Sequence, residues 1–187
     1  MSQPRIDASA TEKPGLSDLE ALFRQIHPRV YAYVRYRIAD VAEAEDLTSE
    51  IIERALTYLA SYDAAKGAFS TWIFRIAHNT YVNHVKRHQR RAPHHVDLGE
   101  RLEDLVADSP NPEQMVVDKE DKARLLTCMN ALPQRQQEIL TLRFAGRLNN
   151  REIAQVLGMN ERTVSVYVLR ALRKLRQQLA PTSGKVP

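Results

Sequence analysis

Cysteine is nearly absent from this chain of 187 residues, where Cys128 stands alone. One cysteine closes no intrachain disulfide, which suits a reducing cytoplasm, and at helical spacing it reads as a small core residue. No apolar run approaches the ~18 residues needed to span a bilayer, so no membrane insertion is expected. The N-terminus also lacks the basic, apolar, small-residue order of a secretory leader. Catalytic signatures are missing too. There is no phosphate-cradling glycine loop, no GxSxG and no HExxH, and Cys128 has no neighbouring histidine in its helical pattern. Neither catalytic residues nor cofactors are expected. Alternation of strand type nowhere reaches a useful length, so the fold class is all-α.

What the chain does contain is charge, unevenly placed. The net charge is only +4. Residues 1–91 hold 13 Lys and Arg against 11 Asp and Glu, and residues 92–121 hold 2 against 9. Residues 122–187 reverse this with 12 against 3. A basic C-terminal part predicts a polyanionic partner, because phosphate neutralisation supplies most non-specific nucleic-acid affinity. The acidic stretch is repelled by that same partner and must lie elsewhere or face a positive surface.

Apolar periodicity divides the chain. Residues 1–15, rich in Ser, Thr, Pro and Ala, read as a disordered tail. A helix starts at Leu16, with Leu19, Leu22, Phe23, Ile26, Val30 and Val34 at three- and four-residue steps. A second begins near Val41 and carries Leu47, Ile51, Ala55, Leu56 and Leu59 on one face. The segment from Ser61 to Gly67 breaks the pattern as a loop, and Ser70 is a plausible N-cap for a third helix with Trp72, Ile73, Ile76 and Ala77 on its apolar side. Pro93, Gly99, Pro110 and Pro112 punctuate residues 92–112 as an acidic linker. Within it, Leu98, Leu102 and Leu105 form a short amphipathic piece suited to docking on a partner. Helical pattern resumes at Glu113, and Pro133 suits the first turn of a further helix. The architecture is thus two small helical domains, 16–91 and 113–180, flanked by tails at 1–15 and 181–187.

The most informative segment runs from Asn150 to Leu175. Asn150 and Asn160 stand where two helices need caps, and Gly158 stands where the chain reverses within about three residues and needs positive φ. Ala154 lets the two helices approach, and Val164 returns an apolar side chain to their shared core. This is a compact helix-turn-helix. Its second helix points Arg162, Ser165, Val166, Leu169 and Arg170 outward, with Arg173, Lys174 and Arg176 beyond, in the manner of a recognition helix in a major groove.

The N-terminal domain is less explicit. Phe69, Trp72, Phe74 and Tyr81, followed by a basic helix end with Lys86, Arg87, Arg90 and Arg91, suit single-stranded nucleic acid bound by stacking and phosphate contacts; each aromatic equally suits the core. Glu43, Glu45, Asp46, Glu50 and Glu53 open the second helix, where negative charge favours the dipole and a solvated face competes with a protein-binding one. His84 and His88 share one helix face at metal-ligand spacing. No carboxylate or cysteine of that helix joins them, however, and they interleave with Lys86, Arg87 and Arg90. A DNA-facing or solvated role is therefore expected and no metal.

With these pieces in place the chain resembles the extracytoplasmic function (ECF) sigma factors, the small two-domain branch of the bacterial sigma family. The resemblance rests on AEDLTSEII at 44–52, FSTWIFRIAHNTYVNHVKR at 69–87, and LPQRQQEILTLRF at 132–144 leading into the helix-turn-helix. It implies core RNA polymerase and promoter DNA as partners, and an anti-sigma factor. By resemblance, Asp46, Leu47 and Glu50 contact polymerase. Ser61, Tyr62, Lys66, Phe69, Trp72 and Asn79 meet the melted −10 element, and Lys86, Arg87 and Arg90 hold its phosphates. Arg162, Thr163, Ser165, Val166, Leu169, Arg170, Arg173 and Lys174 serve the −35 element, and the acidic linker threads a basic path on polymerase. The chain departs from the family pattern at Ser49, Ile52 and Asn83, and at Ser165 and Tyr167 early in the recognition helix, where arginines are usual. Two rival readings compete: a stand-alone helix-turn-helix regulator, which leaves the N-terminal loop, aromatics and basic helix end without a purpose, and a metal-dependent enzyme built on the histidines.

Overall fold

The computed structural model describes residues 16–91 and 123–180, and among them the regular structure is entirely helical. The linker, including Leu98, Leu102 and Leu105, and both tails lie outside the described residues.

Helix α1 runs Leu16–Arg35 with Pro28 inside it. An internal proline removes one helical hydrogen bond and costs ~3 kcal/mol. Burial of Ile26, Val30, Tyr33 and Val34 on the core face holds the helix together across it. Helix α2, Val41–Thr57, starts at Asp40, whose side chain accepts from the Glu43 amide at 2.7 Å. It buries Ala44, Leu47, Thr48, Ile51 and Ala55. A 3₁₀ turn at Leu59–Ser61 follows. Helix α3, Phe69–Arg91, then packs against α1 and α2. It begins at Phe69 and already includes Ser70, so Ser70 is a first-turn residue and not the cap expected of it.

The second half opens with α4, helical over 123–130, where Cys128 and Met129 pack with Leu132, Leu140, Ala171 and Leu175 in a local core. Cys128 is the small buried residue its spacing implied. Helices α5 (Gln134–Phe144), α6 (Asn150–Leu157) and α7 (Glu161–Leu179) complete the half. Pro133 sits at the N-cap of α5, one residue before the first turn.

The halves share a core. Ile73, Phe74 and Ala77 of the first half belong to the same buried cluster as Ile139, Leu142, Ile153 and Val164 of the second, with α3 lying against α6. Polar contacts reinforce the seam. Arg29 of α1 donates to the Gly146 carbonyl, and burial, then the neighbouring Arg147 charge, lowers the Arg29 pKa. Tyr33 is fully buried, accepts from Arg37 at 2.7 Å, and has its pKa pushed far up by desolvation.

Candidate nucleic-acid interface

The turn between α6 and α7 explains the exposed face of α7. Gly158 ends α6 with φ +63°, a left-handed conformation that costs other residues ~1–2 kcal/mol. Asn160 caps α7 by accepting from the Arg162 amide at 2.8 Å. The cap of α6 is one residue earlier than the sequence suggested. Asn149 accepts from the Glu152 amide at 2.9 Å and Glu152 Oε2 accepts from the Asn149 amide at 2.8 Å, a reciprocal capping box. Asn150 is freed for tertiary work. Its Oδ1 accepts from Arg143 of α5 at 2.9 Å, and its Nδ2 donates to Ser165 Oγ of α7 at 2.9 Å.

Val164, Val168, Ala171 and Leu175 turn the inner stripe of α7 into the core. The opposite stripe, Arg162, Val166, Leu169, Arg170 and Arg173, is exposed at helical spacing, with Val166 at 41% and Leu169 at 59%. Guanidinium forks beside apolar groups match what a major groove offers: purine acceptors, phosphates and thymine methyls. Thr163 is exposed at the helix start. Two expected members face elsewhere. Ser165 is half-buried and also donates to the Glu161 carbonyl at 3.1 Å, so it braces the turn instead of pointing outward. Lys174 donates to the Ala131 carbonyl at 3.0 Å, towards the α4–α5 connection.

In the first half an aromatic cluster holds the loop after the 3₁₀ turn. Tyr62, Phe69 and Trp72 lie with ring centroids 5.3–5.5 Å apart, and Phe23 meets Phe69 edge-on at 5.4 Å. Phe69 is buried in the core, whereas Tyr62 and Trp72 are half-buried and keep an accessible edge. Asp63 caps the loop internally: its Oδ1 accepts from the Ala65 amide at 3.0 Å and Lys66 pairs with it at 3.3 Å, so its pKa is lowered, first by the amide bond and then by Lys66. Ser61, Lys66 and Asn79 are exposed.

Along α2 the expected polymerase contacts separate. Asp46 is exposed and Glu50 half-buried, whereas Leu47 is 2% exposed and belongs to the core instead of the surface expected of it. Glu50 pairs with Arg54 at 2.9 Å and, across the helices, with Arg87 at 3.4 Å. Lys86 is exposed; Arg90 belongs to α3, and its side chain lies outside the described residues. The histidines acquire a neighbour that the chain order concealed. Glu43 of α2 meets both, with Oε1 at 2.7 Å from His84 Nε2 and 3.5 Å from His88 Nε2. No carboxylate of α3 itself joins them, as its sequence implied, but one from α2 does; no periodicity within α3 can reveal a ligand lying on α2.

Comparison with known proteins follows the same division. The sigma-70 region 2 model matches residues 22–91 and the sigma-70 region 4 model matches residues 122–175. The chain is 36% identical to the ECF RNA polymerase sigma factor BldN of Streptomyces coelicolor over 84% of its own length, spanning 59% of that protein. It is 30% identical to the ECF RNA polymerase sigma factor SigK of Mycobacterium ulcerans, covering 90% of this chain and 98% of the relative. Among solved structures, the fold is similar to the sigma factor RpoE of Bartonella quintana, solved with the anti-sigma factor NepR. That match has a TM-score of 0.70 at 19% identity and covers 89% of this chain and 99% of the other. CnrH, solved with the cytosolic domain of CnrY, matches at a TM-score of 0.59 and 18% identity over 90% and 92% of the two chains.

Proposed function

Because the chain belongs to the ECF sigma factors, which direct RNA polymerase to promoters, we propose that its two halves divide initiation between them. The exposed stripe Arg162, Val166, Leu169, Arg170 and Arg173 on α7 is the observation that carries this reading. That stripe reads the −35 element as duplex. Asp46 and Glu50 on α2 engage the polymerase. Tyr62, Trp72, Asn79 and Lys66 meet the −10 element, where half-buried aromatic rings offer stacking faces to unpaired bases. Lys86, Arg87 and Arg90 hold the adjacent phosphates. Trapping unpaired bases shifts the duplex towards its open form without ATP, since stacking and phosphate contacts supply the differential affinity. Phe69 and Leu47 support these surfaces from within.

The acidic linker keeps clear of DNA and lies along a basic path on polymerase. One similar structure holds a sigma factor with an anti-sigma factor, and another holds CnrH with the cytosolic domain of CnrY. By extension, a partner protein covering the polymerase-binding surface keeps the free chain inactive in the bacterial cytoplasm. The test is transcription in vitro. Purified chain added to core polymerase gives run-off transcripts from a small set of start sites on genomic fragments, and it competes with the housekeeping sigma factor for core. The absence of any promoter-specific transcript on every template would sink the reading. DNA binding without competition for core would replace it with a stand-alone regulator.

A further inference from the structure

We propose that Glu43, His84 and His88 form a binding site for a divalent transition-metal ion of the imidazole-preferring class, with Zn²⁺ as its representative. Three potential ligand atoms from two helices lie within 4.8 Å of one another. The closer contacts are 2.7 Å from Glu43 Oε1 to His84 Nε2 and 3.5 Å to His88 Nε2. Zinc with donors at about 2.0–2.1 Å in tetrahedral geometry sets its donors roughly 3.4 Å apart. The observed separations, 2.7 and 3.5 Å with all three atoms within 4.8 Å, bracket that value.

Two features distinguish the arrangement from a plain hydrogen bond. The His84 and His88 rings lie side by side with centroids 4.2 Å apart, and both turn Nε2 towards one carboxylate oxygen. One oxygen satisfied by His84 alone needs no second imidazole. Their one-turn spacing on a helix is the spacing by which helices present paired imidazoles to a metal. The carboxylate comes from a helix whose start is fixed, because the Glu43 amide is held by Asp40.

Among the described side chains, the neighbouring cations do not prevent binding. Arg87 directs its guanidinium to Glu50, and Lys86, two positions from each histidine, falls on the other flank of α3. The site also lies in the last turns of α3, where the helix dipole favours positive charge. The donor set selects the ion: two imidazoles and a single carboxylate suit Zn²⁺, Co²⁺ or Ni²⁺, whereas Mg²⁺ and Ca²⁺ demand oxygen. Exposure selects the coordination. The His88 side chain is 59% exposed and that of Glu43 37%, so at least one position opens to water or to a further donor. A bound ion staples the first turn of α2, just ahead of Asp46, to the basic end of α3. Nothing in this rests on how promoters are read.

The full-length chain, dialysed against chelator and then titrated with Co²⁺ or Zn²⁺ alone, tests the assignment. The wild type is expected to bind one ion saturably, with a Co²⁺ ligand-field spectrum of low coordination number. Zn²⁺ should raise its Tm. Glu43→Gln, His84→Ala and His88→Ala should each weaken binding at least tenfold and abolish the Tm rise. His88→Ala, being exposed, leaves the fold intact and keeps the test decisive. Replacing His94 and His95 together should change nothing. The proposal is overturned by the lack of saturable binding in the wild type, by unchanged affinity in His88→Ala, or by loss of binding only when His94 and His95 are removed.

Discussion

Glu138 of α5 and His78 of α3, distant in the chain, meet across the seam between the two halves with Oε1 and Nδ1 3.0 Å apart. Arg37 of α1 approaches the same oxygen at 3.7 Å, and Arg135 holds Oε2 at 2.7 Å. Burial by itself raises the carboxyl pKa. His78, then the Arg37 charge, then Arg135 outweigh that and hold it at about 2. One carboxylate thereby joins α1, α3 and α5.

The sign of its pH dependence follows. The folded pKa of about 2 lies below the ordinary 4.5, so the contribution is complete above pH 4.5 and fades as pH falls from there towards 2. Its upper bound is ~3 kcal/mol, since each tenfold change in proton affinity between the folded and unfolded chain corresponds to about 1.4 kcal/mol. Glu138→Gln should therefore be less stable than the wild type by ~1–3 kcal/mol at pH 7, and the two denaturation midpoints should converge between pH 4.5 and 2. A gap that stays constant over that range would show that the carboxyl is not coupled to folding. Small-angle scattering of Glu138→Gln at pH 7 should also show a larger radius of gyration, as the halves separate.

Separation of labour between α2 and α7 is testable by paired substitution. Arg170→Ala should weaken binding to a −35 duplex by ~1–3 kcal/mol if the guanidinium makes a bidentate base contact, and leave affinity for core polymerase unchanged. Asp46→Ala should do the reverse. Arg173→Ala should weaken all sequences alike and lower the salt slope by about one, as a phosphate contact does. Anisotropy titrations at several salt concentrations separate these cases. Parallel losses of DNA and core affinity in both Arg170→Ala and Asp46→Ala would contradict the division.

Much of this was legible in the chain because local rules govern it. The helix-turn-helix follows from Ala154, Gly158, Asn160 and Val164, whose spacing is set by a single turn. The start of α2 at Val41 and the burial of Cys128 also followed from periodicity. What stayed hidden depends on contacts between elements. Phe69 and Leu47 sit on motif positions that the resemblance assigned to partners, yet packing turns both into the core. Glu43 reaches His84 and His88 from another helix, and Glu138 reaches His78 and Arg37 from another half. Asn149 and Asn150 are adjacent and chemically identical, and only backbone geometry distinguishes the cap from the strut.

That pair yields a sharp comparison. Asn149→Ala removes the α6 capping box and should cost ~0.5–2 kcal/mol of stability. With α7 untouched, it should alter −35 affinity only as far as folding requires. Asn150→Ala leaves the cap but cuts the links to Arg143 and Ser165. It should lose more −35 affinity than Asn149→Ala for equal or smaller loss of stability, because α7 is no longer braced against α5 and α6. Measured midpoints and DNA affinities for both variants decide this; the same ratio of affinity loss to stability loss in each would show that Asn150 does not position the helix.

Two glycines flank α6 and differ in what they tolerate. At Gly158 an added Cβ meets nothing within 4 Å, so Gly158→Ala bears only the strain of φ +63°, ~1–2 kcal/mol. At Gly146 a Cβ would fall 2.5 Å from the Leu142 carbonyl oxygen and 3.2 Å from its carbon, backbone atoms that cannot rotate aside. The turn itself must move, at the ~1–3 kcal/mol typical of overpacking or more. Because the Gly146 carbonyl accepts from Arg29, that displacement also pulls at the seam between the halves. Gly146→Ala should therefore lower the unfolding midpoint further than Gly158→Ala and alone enlarge the radius of gyration. Gly158→Ala should instead act on −35 affinity through the angle between α6 and α7. Equal compactness of the two variants would mean that the Arg29 contact contributes nothing to holding the halves together.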